Sequence, residues 1–300
     1  MISREIKYPE NHISIFQTYY WAEFKIKTSS WRWLPHDKFI VLENTDFNQI
    51  YVGSITKYQL RSSILMIEEL TEFLNRHLNR IDCAFIDFQI PKTDPFATEL
   101  HYKMISLGYQ SSEIEWQPRI RCLVDLTVDE QKIKDNCYNK TMSDIRRAER
   151  RGVKIIESWD VDQFYSLYLL TAKKHEFAII KDFQYFKALC GMFQEYKIGK
   201  LLFASVENYP MMLSAIVAFV DGVAYWLFTG SMSEYNFFSA SSYLQYHIIK
   251  KAKSMNMKLY DMFGIKLPIK EHGPSNFKIK FGGKIIPLMD TYVLNNKAKK

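Results

Sequence analysis

Lysines and phenylalanines alternate in PSNFKIKFGGKI, residues 274–285, and two glycines follow. Lys278 and Lys280 are cations set among aromatic rings, which ordinary core packing does not call for. Phe277 and Phe281 stand four apart, which is the spacing of helical neighbours and equally of core packing. Gly282-Gly283 permits positive φ and close backbone approach, and it would also serve as a plain turn into a last strand. A site and ordinary packing both stay open at this point.

Three other stretches have residue types that could do chemistry. KTMSDIRRAERRGVK, residues 140–154, puts Arg146 with Arg150 and Arg147 with Arg151 on shared helical faces. Such like-charge pairs cost roughly 0.2–0.5 kcal/mol each unless an anion compensates them, so the helix is either a solvated face or a phosphate or RNA contact. In QTYYWAEFK, residues 17–25, Tyr20, Trp21 and Phe24 cover one face and Lys25 follows Trp21 by four, where a lysine either snorkels into water or meets a ligand. AIIKDFQYF, residues 178–186, places Lys181 and Tyr185 one helical turn apart, a surface pair or a cation and phenol for a phosphate or sugar.

Composition narrows the classes. The 300 residues are 47% hydrophobic and 15% aromatic, with a formal net charge of +7, so anionic partners are favoured. Cys83, Cys122, Cys137 and Cys190 are widely spaced, which supports neither a zinc site nor a disulfide framework and fits a reducing cytoplasm. P-loop, dinucleotide-binding, G-x-S-x-G and H-E-x-x-H signatures are missing from the sequence. No cofactor and no metal is therefore expected, and catalysis would rest on positioning and charge. MISREIKYPENHIS lacks an apolar signal core, and the long apolar run at 211–228 is cut by Asp221-Gly222, which predicts a hairpin instead of a membrane span.

The elements that must position these residues alternate between helix and strand. Helices are expected at 13–26, 65–79, 96–107, 129–151, 161–176, 183–195 and 239–254. Strands are expected at 38–43, 50–56, 83–90, 120–126, 153–158, 200–206, 212–219, 223–230, 257–263 and 284–294. In 65–79, Ile67, Leu70, Leu74 and Leu78 share a face with Phe73 at its edge. Interleaved helices and strands predict an α/β (α+β) fold with a boundary near 127–145.

QTYYWAEFK, WQPRIRCLVDL, KTMSDIRRAERRGV, the run from Tyr235 to Ile265 and NFKIKFGG occur in an order that resembles the Fem (FemABX) family. Members of that family build peptidoglycan cross-bridges from aminoacyl-tRNA. The resemblance runs from about 17 to 294. It implies two acetyltransferase-like (GNAT-like) domains with mixed sheets, residues 1–135 with 284–300 and residues 136–283. The short join at 195–200 leaves no room for a long coiled-coil arm. It further implies a cytoplasmic aminoacyltransferase acting on an amine of a peptidoglycan-precursor stem peptide, at the inner membrane face if that acceptor is lipid-linked.

By the same resemblance, Lys278 beside Phe277 falls at the reaction centre and Lys25 contacts the precursor diphosphate, as do Lys181 and Tyr185. Lys181 replaces the expected arginine, and Phe228-Thr229 stands where Tyr-Gly is usual, on the substrate-binding wall. Arg146, Arg147, Arg150 and Arg151 would meet tRNA phosphates. An acyl-CoA-dependent N-acyltransferase and a non-catalytic RNA- or precursor-binding protein are the alternatives. The missing Q/R-x-x-G-x-G/A loop disfavours the first, and the presence of Lys278 with both glycines the second.

Overall fold

The computed structural model describes residues 8–61, 63–176 and 178–296. The chain divides into two compact units, one of Pro9–Arg121 with the segment from Ile286, the other of Cys122–Ile285 with Tyr8.

In the first unit, a 3₁₀ turn (Ile15–Gln17) leads into α1 (Tyr19–Thr28), followed by β1 (Trp31–Leu34), β2 (Val41–Asn44) and β3 (Gln49–Ile55). Next come α2 (Leu65–His77), β4 (Cys83–Phe88), α3 (Pro95–Ser106) and the short β5 (Gln110–Ser111). The expected face of α2 is the one that is buried. Ile67, Leu70 and Leu74 are fully covered in a core shared with Val52, Ile86 and Leu100, and Phe73 packs at its edge. Removing such a leucine costs about 2–5 kcal/mol. Asp94 caps α3 by accepting from Phe96 N, Pro95 opens the helix, and Gly108 with φ +92° closes it. Glu43 is buried between Arg32 and Arg80. Burial pushes its carboxyl up, but the bonds from Arg80 and Arg32 outweigh that and hold it below the usual range.

The second unit begins in β6 (Ile120–Asp125) and continues through α4 (Glu130–Asn136), α5 (Asn139–Arg150), β7 (Lys154–Glu157), α6 (Val161–His175), α7 (Phe183–Tyr196) and β8 (Gly199–Ser205). It then forms β9 (Leu213–Val220), β10 (Val223–Ser231), α8 (Ala240–Ser254), β11 (Leu259–Gly264) and α9 (Gly273–Ile279). The tail supplies β12 (Lys284–Pro287) and β13 (Tyr292–Asn295). The β9–β10 turn is the one that the sequence predicts. Asp221 and Gly222 both take positive φ, 43° and 78°, matching the twist of the flanking strands.

Both sheets are mixed. One has the order β1-β2-β3-β4-β13-β5, with β3 and β4 parallel and β13 antiparallel to β4. The other runs β12-β6-β11-β10-β9-β8-β7, with β10 and β11 parallel. Among the described residues the longest helices have 15 residues, and none is long and apolar enough to cross a membrane.

Three expectations need correction, and two elements go beyond the sequence pattern. The helix expected over 129–151 is two helices, because Cys137 and Tyr138 are extended and Tyr138 N donates to Lys280 O at 2.9 Å instead of continuing the helix. The last strand expected over 284–294 is two, since β12 sits at the end of one sheet order and β13 between β4 and β5 in the other. The helix expected over 13–26 starts only at Tyr19, after the 3₁₀ turn. Trp31–Leu34 and the Phe277–Lys278 stretch, given no element by the sequence pattern, are a strand and a short helix.

Candidate functional site

The seven-stranded sheet parts between β10 and β11. β10 pairs with β9 along its whole length but registers with β11 over Val223–Tyr225 alone. A bulge lies between Trp226 and Phe228, where the ladder to β9 shifts, and bulges re-aim side chains. Trp226 to Thr229 are half-exposed while Val223 to Tyr225 are buried.

The helix α9 delivers Lys278 and Phe277 to this parting. Lys278 Nζ donates to Gly264 O, at the end of β11, over 2.7 Å. The same ammonium lies 5.5 Å from the Trp226 ring centroid. Phe277 meets Trp226 edge-on at 6.3 Å and the fully buried Phe281 at 5.2 Å. The cation is therefore fixed by a carbonyl and faced by an aromatic wall.

Several neighbours determine that placement. His272 caps α9, its Nδ1 accepting from Ser275 N at 3.2 Å, and Ser275 Oγ accepts from Lys266 N at 2.8 Å. Burial, then the charges of Lys266 and Lys278, lower the His272 pKa, which favours the neutral ring that accepts from Ser275 N. Gly282 takes φ +74° and has Asn136 where a Cβ would stand, 2.6 Å away. A Cβ on Gly283 would meet Cys122 Sγ at 2.4 Å. The glycine pair thus seats the segment tightly against α4 and β6. On β11, Tyr260 donates to Gln245 of α8 at 2.5 Å. The buried Asp261 accepts from Phe263 N at 2.7 Å and from Tyr8 Oη at 3.2 Å. Phe263 holds φ 62°, a strained value for a bulky residue, immediately before the carbonyl that binds Lys278.

Burial disfavours the thiolate form of Cys122, the thiol packed against the glycine pair. Burial pushes Cys122 up to about 12, against the pull of Lys278 and with the help of Asp261. Burial likewise raises Cys190 to about 12 and Cys137 to about 11, and Cys83 is raised by burial and then by Asp82. Among the described residues there is no group of three or more His, Cys, Asp or Glu side chains able to hold a metal.

Lys181, Tyr185 and Phe228 come together in the same unit. Lys181 Nζ lies 4.6 Å from the Tyr185 ring centroid. Phe228 meets Tyr185 at 6.1 Å and Phe186 at 5.1 Å, both edge-on. Burial lowers the Lys181 pKa, with Asp182 opposing. Arg146, Arg147, Arg150 and Arg151 are all exposed. Arg147 pairs with Asp144 at 2.9 Å, Arg146 reaches Ser143 Oγ at 3.4 Å, and Arg151 donates to Phe237 O.

Lys25 belongs to the first unit, 5.0 Å from the Trp31 ring. Trp116 stacks on Tyr51 at 5.0 Å and meets Trp31 at 5.7 Å. Gln17 holds the start of α1 by accepting from Ile40 N at 3.0 Å and donating to Gly53 O at 2.8 Å. The glutamine of QTYYWAEFK thus holds the turn, while Trp21, edge-on to Phe16 at 4.9 Å and 5.2 Å from Phe24, packs the helix that presents the lysine.

Sequence reasoning missed Trp226, the Gly264 carbonyl and the Asp261–Phe263 clamp. Their one available signal was the Tyr-Asp…Gly-Ile ending of β11, which marks a strand but not what its last carbonyl does.

The sequence is 29% identical over 156 residues to a UDP-N-acetylmuramoylpentapeptide-lysine N(6)-alanyltransferase of Weissella viridescens. That match covers 50% of this chain and 45% of the relative, so it spans less than half of the relative's length. The fold is similar to the crystal structure of FemX, with a TM-score of 0.79 at 15% identity over 95% of this chain and 93% of that one. It is also similar to a tandem GNAT protein from the clavulanic acid biosynthesis pathway, with a TM-score of 0.52 at 9% identity over 90% and 84% of the two chains. The expected GNAT-like fold with mixed sheets is the one found. The FemAB family model matches residues 97–213 and 203–298, well over half of the sequence, and the chain is a member of the FemAB family.

Proposed function

We propose that this protein moves an aminoacyl group from the 3′ ester of a tRNA to an amine on the stem peptide of a peptidoglycan precursor. The observation that carries the reading is the Lys278 ammonium, fixed on Gly264 O beside Trp226 where β10 and β11 part. Family membership and the alanyltransferase relative support the same class of reaction.

An aminoacyl ester is already activated. The acceptor amine attacks its carbonyl carbon, a C–N bond forms, and negative charge builds on the carbonyl oxygen. Collapse breaks the C–O bond to the ribose, whose hydroxyl gains a proton while the attacking nitrogen loses one. Orientation and stabilisation of that oxyanion are what such a step needs, and a protein nucleophile is not. Lys278 is the stabilising cation and Phe277 the wall beside it. Lys181 and Tyr185 hold the precursor diphosphate, Phe228 lines their pocket, and the four arginines meet tRNA phosphates. Lys25, within its own unit, is a phosphate contact carried over from the family resemblance. Lys181 acts there as a point charge without the bidentate fork of an arginine.

The test is label transfer. Purified protein is mixed with a muropeptide precursor bearing a free amine and with amino acids charged on tRNA, or with labelled acetyl-CoA. Transfer from charged tRNA, abolished by hydrolysing the ester beforehand, is the expected result. Transfer from acetyl-CoA alone contradicts the reading, and transfer from neither source leaves a binding protein.

A further inference from the structure

Four aromatic rings gather on the surface beside the arginine-rich helix. Tyr209 comes from the β8–β9 connection, and Tyr235, Phe237 and Phe238 from the 3₁₀ turn that follows β10. Phe238 is the buried floor, with Phe237 at 4.3 Å and Tyr209 at 4.9 Å from its centroid, and Tyr235 lies 5.9 Å from Tyr209. Phe237 is 53% exposed and Tyr209 46%, so each presents a ring to solvent. Arg151 lies 5.9 Å from the Phe237 centroid and donates to that residue's carbonyl oxygen. Arg147 reaches Ser239 Oγ at 3.4 Å. Residues 139–151 carry five cations against Asp144 and Glu149.

We propose that this surface is a stacking platform for the unpaired bases of a single-stranded RNA end, with Arg147 and Arg151 on its phosphates. Exposed rings interleaved with arginines suit bases and phosphodiesters, since every base has a stacking face and the guanidinium pairs with phosphate. The placement also fits. β10 runs from Trp226, at the lysine site, to Ser231 in five residues, about 17 Å at strand rise, and leads directly into the aromatic turn. A strand bound at the platform would have an end a few nucleotides long to extend toward Lys278. The proposal rests on the tRNA reading and adds Phe237 and Tyr209 to the donor site.

The test uses the full chain and two RNA hairpins, one with four unpaired 3′ nucleotides and one blunt, with binding followed by fluorescence anisotropy. The wild type should prefer the tailed hairpin. Phe237→Ala should weaken tailed binding roughly tenfold and leave blunt binding unchanged, and Phe237→Trp should restore it. Phe237 is exposed, so an unchanged Tm checks that the variant is folded. No preference for the tail, or equal effects of Phe237→Ala on both hairpins, overturns the platform. So does loss of binding to phosphatidylglycerol vesicles with tailed binding intact, which would make the patch a lipid contact. A wild type that binds tailed RNA as described yet transfers nothing from charged tRNA defeats the functional reading alone. One that transfers while Phe237→Ala binds normally defeats the platform alone.

Discussion

Lys278 and Lys181 belong to one unit and each lies over an aromatic ring, yet they are held in different ways. Lys278 is fixed by a strained strand end, its ammonium on Gly264 O and its helix capped by His272. Lys181 sits at the start of α7 over Tyr185, where burial makes its charge costlier to keep. A cation held at one point suits a charge that develops at one atom in the transition state, whereas a cation on a ring suits a diffuse anion that is bound throughout. The first should show in kcat and the second in KM.

The largest expected effect follows from that contrast. Lys278→Ala should lower kcat by roughly 10²–10³, the range for losing one oxyanion donor, with the KM for the precursor little changed. Steady-state kinetics with charged tRNA would check it, and a change confined to KM would break the distinction.

Next come the glycines that hold the Lys278 segment. Gly282→Ala forces an alanine into positive φ and against Asn136, and should cost about 2–3 kcal/mol. Gly152 also has positive φ, +71°, but no atom within 4 Å of a built Cβ, so Gly152→Ala should cost roughly 1 kcal/mol. Denaturant unfolding of both variants measures the difference, and equal losses would mean that the close approach at Gly282 is unimportant.

A further effect on substrate binding concerns Lys181. Lys181→Ala should raise the KM for the precursor about tenfold with kcat nearly unchanged, the loss of one charge-assisted contact. Burial lowers the pKa of this lysine, so its charge is lost at lower pH than for an ordinary lysine. Precursor affinity should therefore fall on the alkaline side as pH rises. In Lys181→Arg that fall should vanish, because a guanidinium stays charged. A KM profile against pH shows it directly, and an alkaline fall that persists in the arginine variant assigns the titration elsewhere.

Much of the fold was legible because its signals are local. Ile67, Leu70 and Leu74 follow the 3.6-residue period, and Asp221-Gly222 specifies its turn by backbone preference alone. The break at Cys137–Tyr138 was not legible, since it is made by a bond to Lys280, far along the chain. The division of the tail into β12 and β13 is likewise decided by which sheet each piece joins. At the candidate site, Lys278 and Phe277 stood out through the family resemblance, and their spacing alone left packing as an equal reading. Trp226 could not be found, because its exposure depends on where β10 stops pairing with β11. No local pattern encodes that stop.

The central claim is that the Lys278 ammonium stabilises negative charge on the ester carbonyl. A tRNA acceptor-end oligonucleotide with the ester replaced by a tetrahedral, anionic phosphonate mimics that state, and the uncharged planar amide mimics the ground state. The account predicts that the wild type binds the phosphonate at least tenfold more tightly than the amide and that Lys278→Ala erases the difference while keeping amide affinity. A preference that survives in Lys278→Ala would contradict it.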